Sequence, residues 1–263
     1  MVLRQITWDT SASILEKIVE YEAVHEIKNL EDLRRRVLPK DRRCFAFFHP
    51  SMPDDPLIFV EVALTNGVAT SIQKVLSESR EEIDLQGANS AVFYSISNCQ
   101  EGLSGISFGN SLIKQVVQDL SREMPHLKTF VTLSPIPGLT KWIKDVGLEK
   151  LVEDQGMLKQ ITAYYLLEAK GKNRRPIDPV AKFHLGNGAI IHQINIDADL
   201  SEKGLLQSKG VMVNYLYDLS KISQNVEFFS KEGEISANTT IKSLSRQAGR
   251  NIMQKGNAKE FSQ

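Results

Sequence analysis

Gly102, Gly105 and Gly109 follow the apolar run Ala91–Ser97, interleaved with Leu103, Ser104, Ile106 and Ser107, and they precede Leu112, Ile113, Val116, Val117 and Leu120 at helical spacing. A glycine-rich loop that opens a helix leaves backbone N–H groups unpaired where the helix dipole is positive. Its chemistry is anion binding, of a phosphate above all. No Gly-Lys-Ser/Thr follows, and Gly-x-x-Gly-x-x-x-Gly is not the dinucleotide fingerprint, so ATP and NAD lose ground as ligands. The same glycines would equally serve a tight strand-to-helix turn. Two single side chains add to this. Ser134 enters the turn Pro135-Ile136-Pro137-Gly138, and a proline holds the residue before it extended. It therefore sits at a strand end, where open α/β sheets bind ligands, and it is also placed to cap a helix over residues 139–146. His184 lies between Phe183 and Leu185, just before the turn signal Asn187-Gly188. An imidazole that titrates near neutrality is suited to proton transfer, although a histidine so flanked is more often a hydrogen-bonded core residue. Tyr215 and Tyr217 alternate along Gly210–Asp218, as tyrosines do at the rim of a core.

The elements that must carry these residues follow from period and punctuation. Ala91–Ser97 is β-branched and aromatic, a buried strand. Arg42–His49 and Pro56–Leu64 read as an antiparallel hairpin whose loop, Ser51–Pro56, is built from proline and aspartate. Residues 1–40 read as helical after a short extended start, with Leu15, Ile18, Val19 and Val24 as the stripe and Asp9, Thr10 and Ser11 as capping candidates. Glu20, Glu22, His25 and Glu26 gather acids around a histidine in no recognised ligand spacing, a packing and hydrogen-bonding segment rather than a metal site. Residues 77–89 are polar and expected at the surface. Thr129–Leu133 is a short strand leading to Ser134, Leu158–Leu167 a helix, Ile190–Asn195 a strand, and Thr240–Gln254 a final helix. The class is α/β (α+β).

The chain has 263 residues, 41% hydrophobic and 24% charged, with 32 basic and 32 acidic side chains. A zero net charge gives no electrostatic case for nucleic acid or an anionic membrane as partner. Two cysteines, Cys44 and Cys99, exclude a disulfide framework and suit a reducing, cytoplasmic setting. No apolar run reaches membrane-spanning length, and residues 1–20 hold no cleavable apolar core.

The pattern Gln100-x-Gly102-x-x-Gly105, between a buried strand and a helix, resembles the pyrophosphate loop of the GNAT acyl-CoA-binding fold. Phe93-Tyr94-Ser95-Ile96-Ser97 with Gln100-Glu101-Gly102-Leu103, then Leu133-Ser134-Pro135-Ile136-Pro137-Gly138, then Phe183-His184-Leu185-x-Asn187-Gly188-Ala189, are similar to malonyl-CoA decarboxylases. The resemblance runs from about Trp8 to Tyr217. It implies a GNAT-like mixed central β-sheet flanked by helices. Residues 1–40 would be a helical lead-in, with the family's helical N-terminal domain largely missing before it. Residues 41–220 would be the catalytic domain and 221–263 a C-terminal helical tail. It also implies site residues. Ser95, Ser97, Gln100, Gly102, Leu103, Ser104, Gly105, Ile106 and Gly109 would bind coenzyme A, with Asn187 and Asn214 near the substrate. His184 falls on the family's catalytic histidine, as His192 does not, with Ser134 beside it and Tyr217 matching an active-site tyrosine. The basic run Lys170–Arg175 is a solvated loop or a contact for the adenosine 3′-phosphate. An insertion the family carries near residues 147–182 looks short here.

The implied reaction is loss of CO2 from malonyl-CoA to give acetyl-CoA. The thioester is its own electron sink, so no metal and no organic cofactor is expected. The protein has to bind coenzyme A, stabilise the enolate oxygen and deliver a proton to carbon. In this reading His184 is the proton donor, Ser134 the orienting hydrogen bond and Tyr217 a secondary donor. The slot for the pantetheine arm would open between the strands ending at Ser97 and Ser134. An acyltransferase on the same fold and a non-catalytic acyl-CoA-binding module are the alternatives. A homo-oligomer is compatible with the sequence. Malonyl and methylmalonyl substrates differ by one methyl group, worth only about 1–3 kcal/mol in a pocket.

Overall fold

A computed structural model describes residues 1–100, 108–171 and 174–260, the side chains of 108–111 and 254–260 excepted. The chain divides into two compact units, Met1–Leu133 and Ser134–Gln263.

In the first unit five strands, β1 (Val2–Ile6), β2 (Arg42–His49), β3 (Met52–Thr65), β4 (Ser90–Asn98) and β5 (Thr129–Thr132), pair in that order. All neighbours are antiparallel except β4 and β5, which are parallel. A parallel pair needs a crossover, and α4 (Phe108–Glu123) supplies it. β2 as far as Phe48 and β3 from Pro56 to Leu64 are buried at every position because both faces are covered. Below lie α1 (Ala12–Tyr21) and α2 (Leu30–Val37), whose Ile14, Leu15, Ile18 and Leu33 pack with Cys44, Ala46, Phe48 and Phe59. α4 packs on β2 through a stripe, Leu112, Ile113, Val116, Val117 and Leu120, that is wholly buried. The hairpin is tighter than the sequence suggested. β3 begins at Met52, so Pro53 and Pro56 lie inside the strand rather than in a loop. They are tolerated there because the pairing of β3 with β4 starts only at Ile58 and the β2 register shifts around Phe48. A short helix, α3 (Ile72–Leu76), follows β3.

In the second unit β8 (Met212–Leu216) is central, with β6 (Ser134–Pro135) antiparallel on one side and β7 (Ile190–Asn195) antiparallel on the other. Around them stand α5 (Leu139–Asp145), α6 (Gln155–Glu168), α7 (Pro179–Gly186), α8 (Glu202–Ser208), α9 (Ile222–Glu232) and α10 (Thr239–Glu260). α10 packs along α6, while α7 packs on α9 and β7. α7 and α8 escape the sequence reading. α9 buries only Ile222, Asn225 and Phe229, a stripe with a polar residue in its middle. Among the described residues no helix is long and apolar enough to cross a membrane.

Candidate active site

Ser134, His184 and Tyr217 meet in the second unit. Ser134 Oγ lies 3.1 Å from His184 Nε2, and Tyr217 Oη lies 2.8 Å from His184 Nδ1. The strand register explains two of the three. Ser134 is paired with Val213, and residues two apart on a strand share a face, so Ser134, Tyr215 and Tyr217 project to the same side of β8. His184 comes from α7, which starts on the Asp178 cap with Pro179 in its first turn, where a missing N–H costs nothing. The helix stops at Asn187 because Gly188 turns to φ +85°, a conformation only glycine adopts without strain. Any Cβ there would also lie 2.6 Å from the Ile222 carbonyl oxygen. Ser134 does not cap α5, whose N-cap is Gly138.

His184 is 3% exposed and its ring stacks on Tyr215, centroids 4.5 Å apart and 26° between planes, with Phe183 edge-on at 5.0 Å. Burial pushes its pKa down to about 3. The imidazole is therefore neutral without substrate, where the sequence alone suggested a group poised near neutrality. A neutral imidazole carries one N–H. A phenol is a better donor than an alcohol, so Tyr217 O–H donates to Nδ1 and Nε2–H donates to Ser134 Oγ. Burial also pushes the Tyr217 phenol well above its ordinary value, so it stays protonated.

The other sequence-predicted residues lie elsewhere. Asn214 is fully buried on the opposite face of β8, where it accepts from Asn195 Nδ2 at 2.6 Å. Asn187 caps the end of α7, and its buried Nδ2 makes no hydrogen bond among the described residues. In the first unit Ser95 and Ser97 are buried on β4 and both hydroxyls donate to Glu22, Ser95 Oγ at 2.7 Å to each oxygen and Ser97 Oγ at 3.2 Å. Gln100 donates to the Pro56 carbonyl at 3.4 Å. Gly102, Leu103, Ser104, Gly105 and Ile106 lie outside the described residues, and Gly109 stands in the first turn of α4, described by its backbone alone.

Two residues that the sequence reading did not single out join the site. Tyr215 supplies the face on which the imidazole lies; the sequence showed it only as the alternation partner of Tyr217. Asp178 is 1% exposed and caps α7 through Oδ1, which accepts from Val180 N–H at 3.0 Å and Ala181 N–H at 2.9 Å. Its Oδ2 faces Gly138 N–H at 3.4 Å and Tyr165 O–H at 3.3 Å. The Asp-Pro pair ahead of an apolar stretch was the available signal for the cap.

Such an arrangement can relay a proton through the His184 imidazole. The malonyl-CoA decarboxylase C-terminal domain model matches residues 1–155 and 148–255. The mitochondrial malonyl-CoA decarboxylase of Rattus norvegicus is 38% identical over 289 aligned positions, which take in 92% of this chain and 58% of the rat protein. The crystal structure of malonyl-CoA decarboxylase from Agrobacterium vitis superposes with a TM-score of 0.87 at 49% identity, covering 92% of this chain and 66% of that one. The GphF GNAT-like decarboxylase in complex with isobutyryl-CoA, 19% identical, covers 83% of this chain and 100% of its own with a TM-score of 0.58, a likeness of fold. The chain thus spans somewhat over half the length of the curated rat relative, and within that span it belongs to the malonyl-CoA decarboxylase C-terminal domain family.

Proposed function

We propose that this chain decarboxylates malonyl-CoA to acetyl-CoA and CO2. The observation that carries the reading is the buried relay Ser134–His184–Tyr217, with 3.1 Å and 2.8 Å links, in a chain of this family. In the proposed step the bond between the α-carbon and the carboxylate breaks, CO2 leaves, and the electron pair passes into the thioester as an enolate. His184, carrying a second proton as imidazolium in the substrate complex, then gives its Nε2 proton to the α-carbon, returns to neutral imidazole and takes up one proton from solvent for the next turnover, so the balance is one proton consumed per CO2 released. Ser134 orients the malonyl group, and Tyr217 holds the ring and its tautomer. A malonyl carboxylate within about 4–6 Å raises the pKa of a buried imidazole, so the proton is recruited by the substrate itself. The Asn187 Nδ2 is a further buried donor that a carbonyl or carboxylate would satisfy.

The reaction calls on no metal or organic cofactor, because the thioester takes up the electron pair; dialysis against a chelator is expected to leave turnover unchanged. The setting in this reading is the cytoplasm, where the free thiols of Cys44 and Cys99 stay reduced.

The test is CO2 and acetyl-CoA release from malonyl-CoA by this chain, with Ser134→Ala and His184→Ala alongside. Equal amounts of both products are expected, falling by about 10²–10⁴-fold in the histidine variant. Malonyl-CoA that binds the unaltered chain and gives no CO2 sinks the reading, and acyl transfer to an added amine would replace it.

A further inference from the structure

We propose that Asp178 is a positioning residue that sets the distance between Ser134 and His184. The inference rests on the site described under the proposed function and adds a residue to it. The two carboxylate oxygens have different tasks. Oδ1 alone caps α7, through Val180 N–H and Ala181 N–H at 3.0 and 2.9 Å. Oδ2 is aimed away from that helix, at Gly138 N–H and the Tyr165 hydroxyl. A cap needs one oxygen, so the second pair of contacts has another consequence.

That consequence is a closed ring. From Asp178, α7 runs as a rigid rod of about 1.5 Å per residue to His184. His184 Nε2 meets Ser134 Oγ at 3.1 Å. From Ser134 the chain passes Pro135, Ile136 and Pro137, two of them with φ fixed by their rings, to Gly138. Gly138 N–H closes the ring on Asp178 Oδ2. Every link is stiff or hydrogen-bonded, so a change at the carboxylate end alters the hydroxyl-to-imidazole distance at the other. Tyr165 locks the closure, and its hydroxyl explains the glycine: a Cβ on Gly138 would lie 2.3 Å from Tyr165 Oη. The carboxylate is buried and its pKa is raised by that burial, its four hydrogen bonds opposing the shift.

Asp178→Ser separates the two tasks. Serine is a good N-cap but too short to reach Gly138 and Tyr165. The expected result is a variant that melts close to the unaltered chain, with displaced ring-nitrogen resonances of His184 and a kcat lower by about ten- to a hundredfold at unchanged KM. Asp178→Asn keeps the cap through its single oxygen but turns an amide NH2 towards Gly138 N–H, which needs an acceptor, so it is expected to show the same displaced resonances and lowered kcat. Unmoved His184 resonances in a folded Asp178→Ser variant overturn the proposal. Should that variant fail to fold, Tyr165→Phe is read in the same way, since it leaves the cap whole and removes one partner of Oδ2. If the unaltered chain releases no CO2, the decarboxylase reading falls, while the His184 resonances still decide the positioning role.

Discussion

Each unit of this protein buries a polar cluster, and the two are built on opposite plans. In the first unit Arg36 is 3% exposed and donates to the His25 and Glu26 carbonyls at 2.9 and 3.0 Å, to Glu61 at 3.1 Å and to Asp32 at 3.4 Å. Glu22, at the end of α1, takes the N–H groups of Val24 and His25 and the hydroxyls of Ser95 and Ser97. The charges are spent on the backbone of the segment between α1 and α2, so the cluster works as a fastener. In the second unit Ser134, His184 and Tyr217 are neutral and linked side chain to side chain. A cluster bound to backbone resists change, whereas one whose proton is shared among side chains responds to an arriving charge.

The two clusters also answer pH with opposite sign. Burial pushes Glu61 up to about 8, with Arg36 only partly opposing the shift. Between the unfolded carboxyl value and that figure the folded chain holds the extra proton, so stability falls as pH rises from about 4.5 towards 8. His184 is held down to about 3. Below about 6.5 the unfolded chain takes up a proton that the folded one refuses, so stability falls as pH drops from there.

The comparison breaks most readily at His184. His184→Gln is expected to lower kcat by about 10²–10⁴-fold while melting near the unaltered chain at neutral pH; near-normal turnover would move the site elsewhere. Arg36→Met should do the reverse, lowering stability by about 3–5 kcal/mol in urea melts, because it strands Glu61 and two carbonyls without their donor. A loss below about 1 kcal/mol would mean that the fastener is dispensable. The smallest effect sharpens the contrast. Glu61→Gln mimics the protonated carboxyl, so melting temperatures should match near pH 5 and the decline towards pH 8 should flatten. The same scan on His184→Gln should flatten the acid side instead, and one shared slope would show that the two groups do not set it.

Much of the fold could be read from the chain. The run Ala91–Ser97 is dominated by β-branched and aromatic residues, and β4 runs over Ser90–Asn98. The fastener segment was read as hydrogen-bonding rather than metal-binding, and Glu22 does bond Ser95 and Ser97. What escaped was decided by partners far along the chain. Pro53 and Pro56 read as loop because nothing local tells that β4 stops short of them. Tyr217 and Ser134 are 83 residues apart, and only the register of β6 on β8 puts them on one face. The family motif pointed to His184, but its neutral state follows from a buried setting that no local pattern displays.

The Asn187-Gly188 corner also bears on how this protein ages. In an open chain an asparagine followed by glycine converts readily to aspartate, because the glycine nitrogen swings round to attack the side-chain amide. Here that nitrogen is committed to the Leu185 carbonyl at 3.0 Å, the asparagine is 3% exposed, and Ile222 closes off the space beside Gly188. The chemical clock at this bond is stopped while the chain is folded and runs only in its unfolded moments, so storage life and conformational stability are tied at the helix that carries His184.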